Sequence, residues 1–165
     1  MPVYADPERG RVVAADALRD WTASIVERAG TPADIAADVA EVLVSSDRRG
    51  IASHGTARLG QYLSLIEADV MDPEARPEEV RSRSAIALLD ARNGWGHHAS
   101  RVAMDRAIAG AREAGTFTSV VRGSNHFGIA GWYALRAATA MGFVPSIGSK
   151  DRVGATSGEE VVRLT

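Results

Sequence analysis

The chain has 165 residues, a net charge of −2 and 45% hydrophobic residues. This is enough for one domain with a core, and the charge argues against a surface that coats nucleic acid. Without cysteine, disulfides, thiolate catalysis and zinc–thiolate sites are excluded, and we expect a cytoplasmic protein. There is no basic start followed by an apolar run, and no stretch near the ~20 apolar residues of a membrane span. We therefore expect neither a secretory signal nor a membrane helix.

The N-terminal part is predicted to be helical. A short strand at Arg11–Val13 is followed by a helix from about Asp16 to Gly30. A second helix runs from Thr31, where Thr-Pro-Ala-Asp is typical of a helix start, to Gly50. Apolar residues at helical spacing predict the buried faces: Leu18, Trp21, Ile25 and Ala29 in the first helix, and Ile35, Val39, Val42 and Leu43 in the second.

A third helix is predicted to begin near Ser53 or His54. An acidic loop containing prolines follows it over Met71–Pro77. The apolar face of this helix is expected to consist of Leu59, Tyr62, Leu63, Ile66 and Val70.

The second half is predicted to alternate strands and helices. In chain order we expect a strand at Ile86–Leu89, a turn at Asn93-Gly94, a helix over Ser100–Ala114, a strand at Phe117–Val121, a helix over Ala130–Met141, and an extended piece at Gly142–Val144. From Pro145 onward no period is sustained, and the only regular hint is Glu159–Leu164. This order predicts an α/β (α+β) fold with a helical N-terminal domain over residues 1–80, an incomplete sheet-containing domain over 81–144 and a divergent tail over 145–165.

The most informative stretch, Ser124–Tyr133, reads SNHFGIAGWY and places His126 in a polar turn that leads into a helix. Free N–H groups at helix starts attract anions, and an imidazole beside them can exchange a proton with a substrate oxygen near neutral pH. The alternative is that His126 only caps the turn.

A second histidine turn contains His54. On the predicted third helix His54, Arg58 and Tyr62 are four residues apart, which places an imidazole, a guanidinium and a phenol on one face. Such a face could bind a carboxylate and a neighbouring oxygen. The alternative is a solvated helix face with Tyr62 in the core.

The adjacent His97 and His98 point roughly 100° apart on a helix, so the pair cannot chelate one metal ion by itself. We expect a structural role for both and predict no metal. A three-histidine zinc site made of His54, His126 and one of this pair stays an open alternative, although no ligand spacing supports it.

A dinucleotide fingerprint is not present after the turn Gly94-Trp95-Gly96. Ala99 stands where the GxGxxG pattern has its last glycine. The acidic residue about 20 positions further on, Glu113, lies inside the next predicted helix and not at the end of a strand. An ordinary Rossmann site is therefore excluded.

Three stretches occur together in one order and spacing: Asp47–Tyr62 (DRRGIASHGTARLGQY), Asp90–Gly96 (DARNGWG) with its following helix, and Ser124–Tyr133. In these stretches the chain resembles the malate/L-lactate dehydrogenase family of the non-Rossmann type. That family includes ureidoglycolate and sulfolactate dehydrogenases and imine reductases of the piperideine-carboxylate kind. The resemblance covers roughly residues 11 to 144.

The resemblance implies hydride transfer between NAD or NADP and C2 of a small 2-hydroxy or 2-oxo acid such as malate or lactate. It implies that His126 donates and accepts the proton at the C2 oxygen, and that His54 lines the same pocket. Arg58 would bind the substrate carboxylate, Tyr62 would pack beside it, and Ser53 would touch the substrate. Hydride arrival builds negative charge that an imidazolium can neutralise.

The resemblance also has limits that lead to expectations of their own. Family members are much longer and hold the cofactor mainly with later sequence, whereas past Phe143 the likeness is lost. We therefore predict a truncated oxidoreductase, with unknown cofactor contacts, Lys150 being the one candidate. Unpaired strand edges would favour association, so we expect a homodimer. Because the truncated chain lacks most of the cofactor domain, we expect weak or no activity. The alternative is a non-catalytic helical interaction or dimerisation module.

Overall fold

The computed structural model describes residues 11–140, residue 142 and the backbone of residues 161–164. The predicted extended piece beyond Gly142, most of the predicted tail and the cofactor candidate Lys150 lie outside these residues. The mixed helix-and-sheet fold class is confirmed. The division into domains stays a prediction.

Two long helices open the fold. Strand β1 (Arg11–Ala14) leads directly into α1 (Ala15–Arg28), and α2 (Ala33–Asp47) begins after Pro32. The predicted buried face of α2 is confirmed. The core around it consists of Val26, Ile35, Ala36, Val39, Leu43, Leu59, Tyr62, Met71 and Trp95.

The predicted buried face of α1 is wrong at Trp21, whose surface is 53% exposed. The buried residues Leu18, Thr22 and Val26 lie four apart, so they form the stripe that faces the core. The Thr22 hydroxyl donates to the Leu18 carbonyl oxygen at 2.7 Å, which satisfies a polar group inside that stripe.

The third helix begins later than predicted. Two short 3₁₀ turns, Ala52–His54 and Thr56–Arg58, precede α3 (Leu59–Glu67). The extended Gly55 between the turns prevents a continuous helix from Ser53 or His54. Val70, predicted on the apolar face, lies beyond the end of α3 and is 52% exposed.

The second half builds a three-stranded sheet from β2 (Glu78–Arg83), β3 (Ile86–Asp90) and β4 (Thr118–Arg122). β2 pairs antiparallel with β3, and β3 pairs parallel with β4. β2 was not predicted from the sequence, because all six of its residues are exposed and no alternation marks it. It also runs across the predicted boundary between residues 80 and 81.

Two helices are joined to β4. α4 (Gly96–Ala114) connects β3 to β4 and starts four residues before the predicted Ser100, so His97 and His98 lie in its first turn. α5 (Ala130–Ala140) follows β4 and agrees with the predicted helix. Strand β5 (Val161–Leu164) confirms the regular hint near the C-terminus and pairs antiparallel with β1. Among the described helices, none has the length and apolarity to cross a membrane.

Candidate active site

His126 lies in the irregular segment between β4 and α5, which is fixed to the turn before α4. The Asn125 side-chain amide donates to the carbonyl oxygens of Asn93 at 2.8 Å and Gly94 at 3.0 Å. A side chain at Gly96 would come within 2.1 Å of the Asn125 carbonyl oxygen. The two backbones therefore touch, and this contact sets the position of His126.

The Nδ1 atom of His126 faces two hydrogen-bond donors. The Tyr62 hydroxyl lies 2.8 Å from it, and the Gly128 N–H donates to it at 3.3 Å. A backbone N–H can only donate, so Nδ1 acts as an acceptor and the neutral ring carries its proton on Nε2. Within the described part of the chain, Nε2 has no hydrogen-bond partner, which leaves it available to a ligand.

His54 stands beside His126, and their ring centroids are 5.4 Å apart. The Ser53 hydroxyl lies 3.0 Å from Nδ1 of His54, and Arg58 Nε donates to the Ser53 carbonyl oxygen at 2.6 Å. The structure thus brings together all five residues predicted to act at the site. The predicted placement of His54 and Arg58 on one face of a single helix is wrong, because the two residues lie on two successive 3₁₀ turns.

The electrostatics of the site keep His126 neutral. Burial lowers the pKa of His126, and the neighbouring Arg58 guanidinium and His54 ring lower it further. Burial also raises the pKa of the Tyr62 hydroxyl, an effect that Arg58 partly opposes. A ligand carboxylate placed at Arg58 would offset the charge of that guanidinium.

Asp47 positions the segment that carries His54 and Arg58, and the sequence interpretation did not identify it. Its Oδ2 accepts hydrogen bonds from the Thr56 backbone N–H at 2.9 Å and from the Thr56 hydroxyl at 2.7 Å. A side chain at Gly55 would collide with the Asp47 carboxylate. The only signal for this role was the placement of an acidic residue just before a turn rich in Gly, Ser and Thr.

The predicted structural pair His97 and His98 divides into two environments. His98 Nδ1 lies 2.6 Å from Oδ2 of Asp38, which links α4 to α2. His97 is fully buried, and within the described chain neither of its ring nitrogens has a hydrogen-bond partner. Leaving a buried polar group unpaired costs ~1–3 kcal/mol. Burial lowers the pKa of His97 to about 3, so the ring is neutral.

No group of three or more metal-binding side chains within the described residues could hold a metal ion. In the turn before α4, Gly96 is packed against the backbone of Asn125 and His126, so a ligand cannot approach the backbone on that side of the glycine. The cofactor candidate Lys150 lies outside the described residues.

Comparison with known proteins matches residues 13–155 to the family model described as malate/L-lactate dehydrogenase. The malate dehydrogenase of Pyrococcus abyssi is 37% identical over 158 residues, covering 95% of this chain and 43% of that protein. The (2R)-3-sulfolactate dehydrogenase (NADP(+)) of Chromohalobacter salexigens is 34% identical over 123 residues, or 73% of this chain and 36% of that protein.

Solved structures give the same likeness. The malate dehydrogenase of Pyrococcus horikoshii OT3 superposes with a TM-score of 0.78 and 34% identity, covering 82% of this chain and 39% of that one. The chain spans less than half the length of the curated relatives named above. The shared part includes the segments that carry His54 and His126.

Proposed function

The chain belongs to the malate/L-lactate dehydrogenase family, and from this we propose that it provides the substrate-binding and proton-transfer side of an oxidoreductase. The proposed reaction moves a hydride between NAD or NADP and C2 of a small 2-hydroxy or 2-oxo acid such as malate or lactate. The dehydrogenase relatives imply a nicotinamide cofactor, which when bound would exchange the hydride with C2. The observation that carries the proposal is the cluster in which His126 contacts Tyr62 at 2.8 Å and lies beside His54.

Arg58 is proposed to bind the substrate carboxylate. Within the described residues its guanidinium contacts only neutral partners, the Ser53 carbonyl oxygen at 2.6 Å, the Gln61 side-chain oxygen at 3.3 Å and the Tyr62 hydroxyl. Its positive charge is therefore not compensated by an acidic side chain, and a carboxylate is the ligand that a guanidinium prefers. Ser53 and Tyr62, on either side of it in the chain, would contact the bound acid.

His126 is proposed to exchange the proton at the C2 oxygen. Reduction of a 2-oxo acid builds negative charge on that oxygen, and Nε2–H of a protonated His126 would neutralise it by donating its proton. In this protonated form Nδ1–H would donate to the Tyr62 hydroxyl, which can accept as well as donate. The opposite direction would require the neutral ring to move its own proton from Nε2 to Nδ1, where the Tyr62 hydroxyl can accept a hydrogen bond from it, before Nε2 takes the hydroxyl proton. His54 would line the pocket and help to orient the oxygen.

Substrate binding and protonation are coupled in this proposal. Arg58 is one of the causes of the lowered pKa of His126. A carboxylate bound to Arg58 offsets that positive charge, so the pKa of His126 rises and the ring gains a proton. The binding of an anionic 2-oxo acid thereby prepares the acid that its reduction requires.

The experiment uses oxamate, an unreactive analogue of a 2-oxo acid, in calorimetric titrations near pH 7 in buffers of different ionisation enthalpy. We expect binding with proton uptake. Arg58→Gln should weaken binding by roughly ten- to a hundredfold, since a charged hydrogen bond is lost. His126→Ala should abolish the proton uptake. Arg106→Gln, in an ion pair with Glu79 on β2, is the matched control and should bind like the unmodified chain.

Binding that Arg58→Gln does not weaken would contradict the proposal, as would no binding at all. Titration with NADH and NADPH completes the test, because tight self-association without nucleotide binding would favour the interaction module.

We also propose a homodimer, since Val80, Ile86 and Val120 are exposed apolar residues of the three-stranded sheet. Sedimentation equilibrium tests this proposal, and a monomer at all concentrations would refute it.

A further inference from the structure

His97 lies behind the pair formed by Tyr62 and His126. Its ring centroid is 5.2 Å from that of Tyr62, with the two planes at 84°, and 6.2 Å from that of His126, at 67°. Trp95 closes another side, with its ring centroid 6.0 Å away. His97 thus contacts the aromatic ring whose hydroxyl faces Nδ1 of His126.

His97 also contacts the second donor to that nitrogen. A side chain at Gly128 would lie 3.0 Å from Cδ2 and 3.2 Å from Nε2 of His97, so the imidazole packs against this glycine. The N–H of Gly128 is the group that donates to Nδ1 of His126. The buried ring of His97 therefore packs against both Tyr62 and Gly128, the two residues whose donors make Nδ1 the hydrogen-bond acceptor of His126.

The surroundings of His97 leave its ring neutral and give it no other polar role. The titratable groups that face it are Tyr62 from α3, His126 from the loop and Tyr133 from α5, whose hydroxyl lies 3.3 Å from the His97 carbonyl oxygen. Within the described residues neither ring nitrogen is hydrogen-bonded. His97 therefore acts through the shape of its five-membered ring, which packs between Tyr62 and Gly128, and not through hydrogen bonds.

We propose that His97 is a positioning residue that holds the Tyr62 hydroxyl and the Gly128 N–H against Nδ1 of His126, so that His126 exchanges its proton with a ligand through Nε2. The inference rests on the role of His126 in the proposed function. A smaller side chain at position 97 would release Tyr62, and a six-membered ring would press on Gly128.

The test is the tautomer of His126, read from the ¹⁵N chemical shifts of its two ring nitrogens in the purified chain. In the unmodified chain we expect mainly the Nε2–H tautomer above the pKa of His126. In His97→Ala we expect a mixture of tautomers. Tyr62→Phe should produce a similar mixture, and the double variant should add little to either single change, because both act through one contact.

Two results would overturn the inference: an Nδ1–H tautomer in the unmodified chain, or an unchanged tautomer in a folded His97 variant. His97→Leu serves as the second variant if the alanine variant does not fold, and the measurement on the unmodified chain does not depend on either. The readout needs neither substrate nor cofactor. A failure of oxamate binding therefore refutes the proposed function alone, and an unchanged tautomer with intact oxamate binding refutes only the role of His97.

Discussion

The helical part of the molecule and its small sheet differ in how completely they bury their apolar residues. In the helical part Ile35, Val39 and Leu43 are fully buried between helices. In the sheet part α4 packs against β4, but the strands still expose apolar residues, and Ile86 is 49% exposed. The first part is closed around its own core, and the second has an open face. The candidate site lies where they meet, since the helical part contributes Tyr62 and the loop after β4 contributes His126.

The largest expected effect tests this contrast directly. Ile35→Ala should lower the free energy of unfolding by ~2–5 kcal/mol, because it leaves a cavity in a closed core. In the monomeric chain, at a concentration below that of self-association, the same truncation at the exposed Ile86 should change it by less than about 0.5 kcal/mol. Urea denaturation measures both. Equal losses at the two positions would show that the sheet face is as well covered as the helical core.

Gly128 lies at the junction of the two parts, and its replacement is the next largest effect. Gly128→Ala would place a Cβ 2.7 Å from Cγ1 of Val42 at a φ of +77°, for which we expect a loss of ~2–3 kcal/mol. Gly115→Ala is the matched control, since its φ is +82° but nothing lies within 4 Å. Its loss should be about 1 kcal/mol. If thermal unfolding gives the same loss for both, the close approach to Val42 is not real.

The burial of His97 predicts a pH dependence of stability. Its pKa is lowered from 6.5 to about 3 in the folded chain, so between these values the unfolded chain binds a proton that the folded chain does not. Its contribution to stability is therefore complete above about pH 6.5 and is lost as the pH falls toward 3. The loss is at most about 1.4 kcal/mol per pH unit.

The variant His97→Leu replaces the buried imidazole by a side chain that does not titrate, and it serves as the comparison. Denaturation at about pH 6 and pH 5 should show a steeper loss of stability for the unmodified chain than for this variant. Parallel losses in the two proteins would mean that His97 is accessible to solvent. This result would also contradict the proposal that a buried His97 ring holds Tyr62 in position.

The smallest effect lies within the helical part, at its surface. Arg76 makes two hydrogen bonds to the Asp34 carboxylate, at 2.7 and 2.8 Å, and this interaction lowers the pKa of Asp34 to about 2. Arg76→Gln should return that pKa toward 3.8 in an NMR titration. It should leave the unfolding midpoint almost unchanged, because the pair is exposed. A low pKa that survives the substitution would assign the shift to the backbone of α2.

The same contrast explains which structural features the sequence predicts. The stripe of Ile35, Val39 and Leu43 was predicted because α2 presents one continuous face to a closed core. The all-exposed strand β2 was missed because it has no buried face to mark its period. Trp21 was placed in the core because it stands at helical spacing from Leu18 and Ile25, although it lies off the buried stripe of α1.

The candidate site shows a second limit. Short stretches of the sequence were enough to name His54, Arg58, Tyr62 and His126, whereas Ser53 was named from the family resemblance. The structure brings the five residues together. The local structure predicted for His54 and Arg58 was wrong. Helical spacing predicted one helix, but the Asp47 carboxylate and the extended Gly55 produce two turns. The packing of His97 against Tyr62 depends on a contact between residues far apart in the chain, which no local pattern shows.

In the proposed site, Arg58 from the helical part acts electrostatically on His126 from the loop after β4. The most direct measurement is the pKa of His126, followed by NMR in the unmodified chain, in Arg58→Gln and in Arg58→Lys. Arg58 contributes to the lowered pKa of His126, so the pKa should rise in the glutamine variant and stay low in the lysine variant, which keeps the charge. An unchanged pKa in Arg58→Gln would mean that the two groups do not share a site.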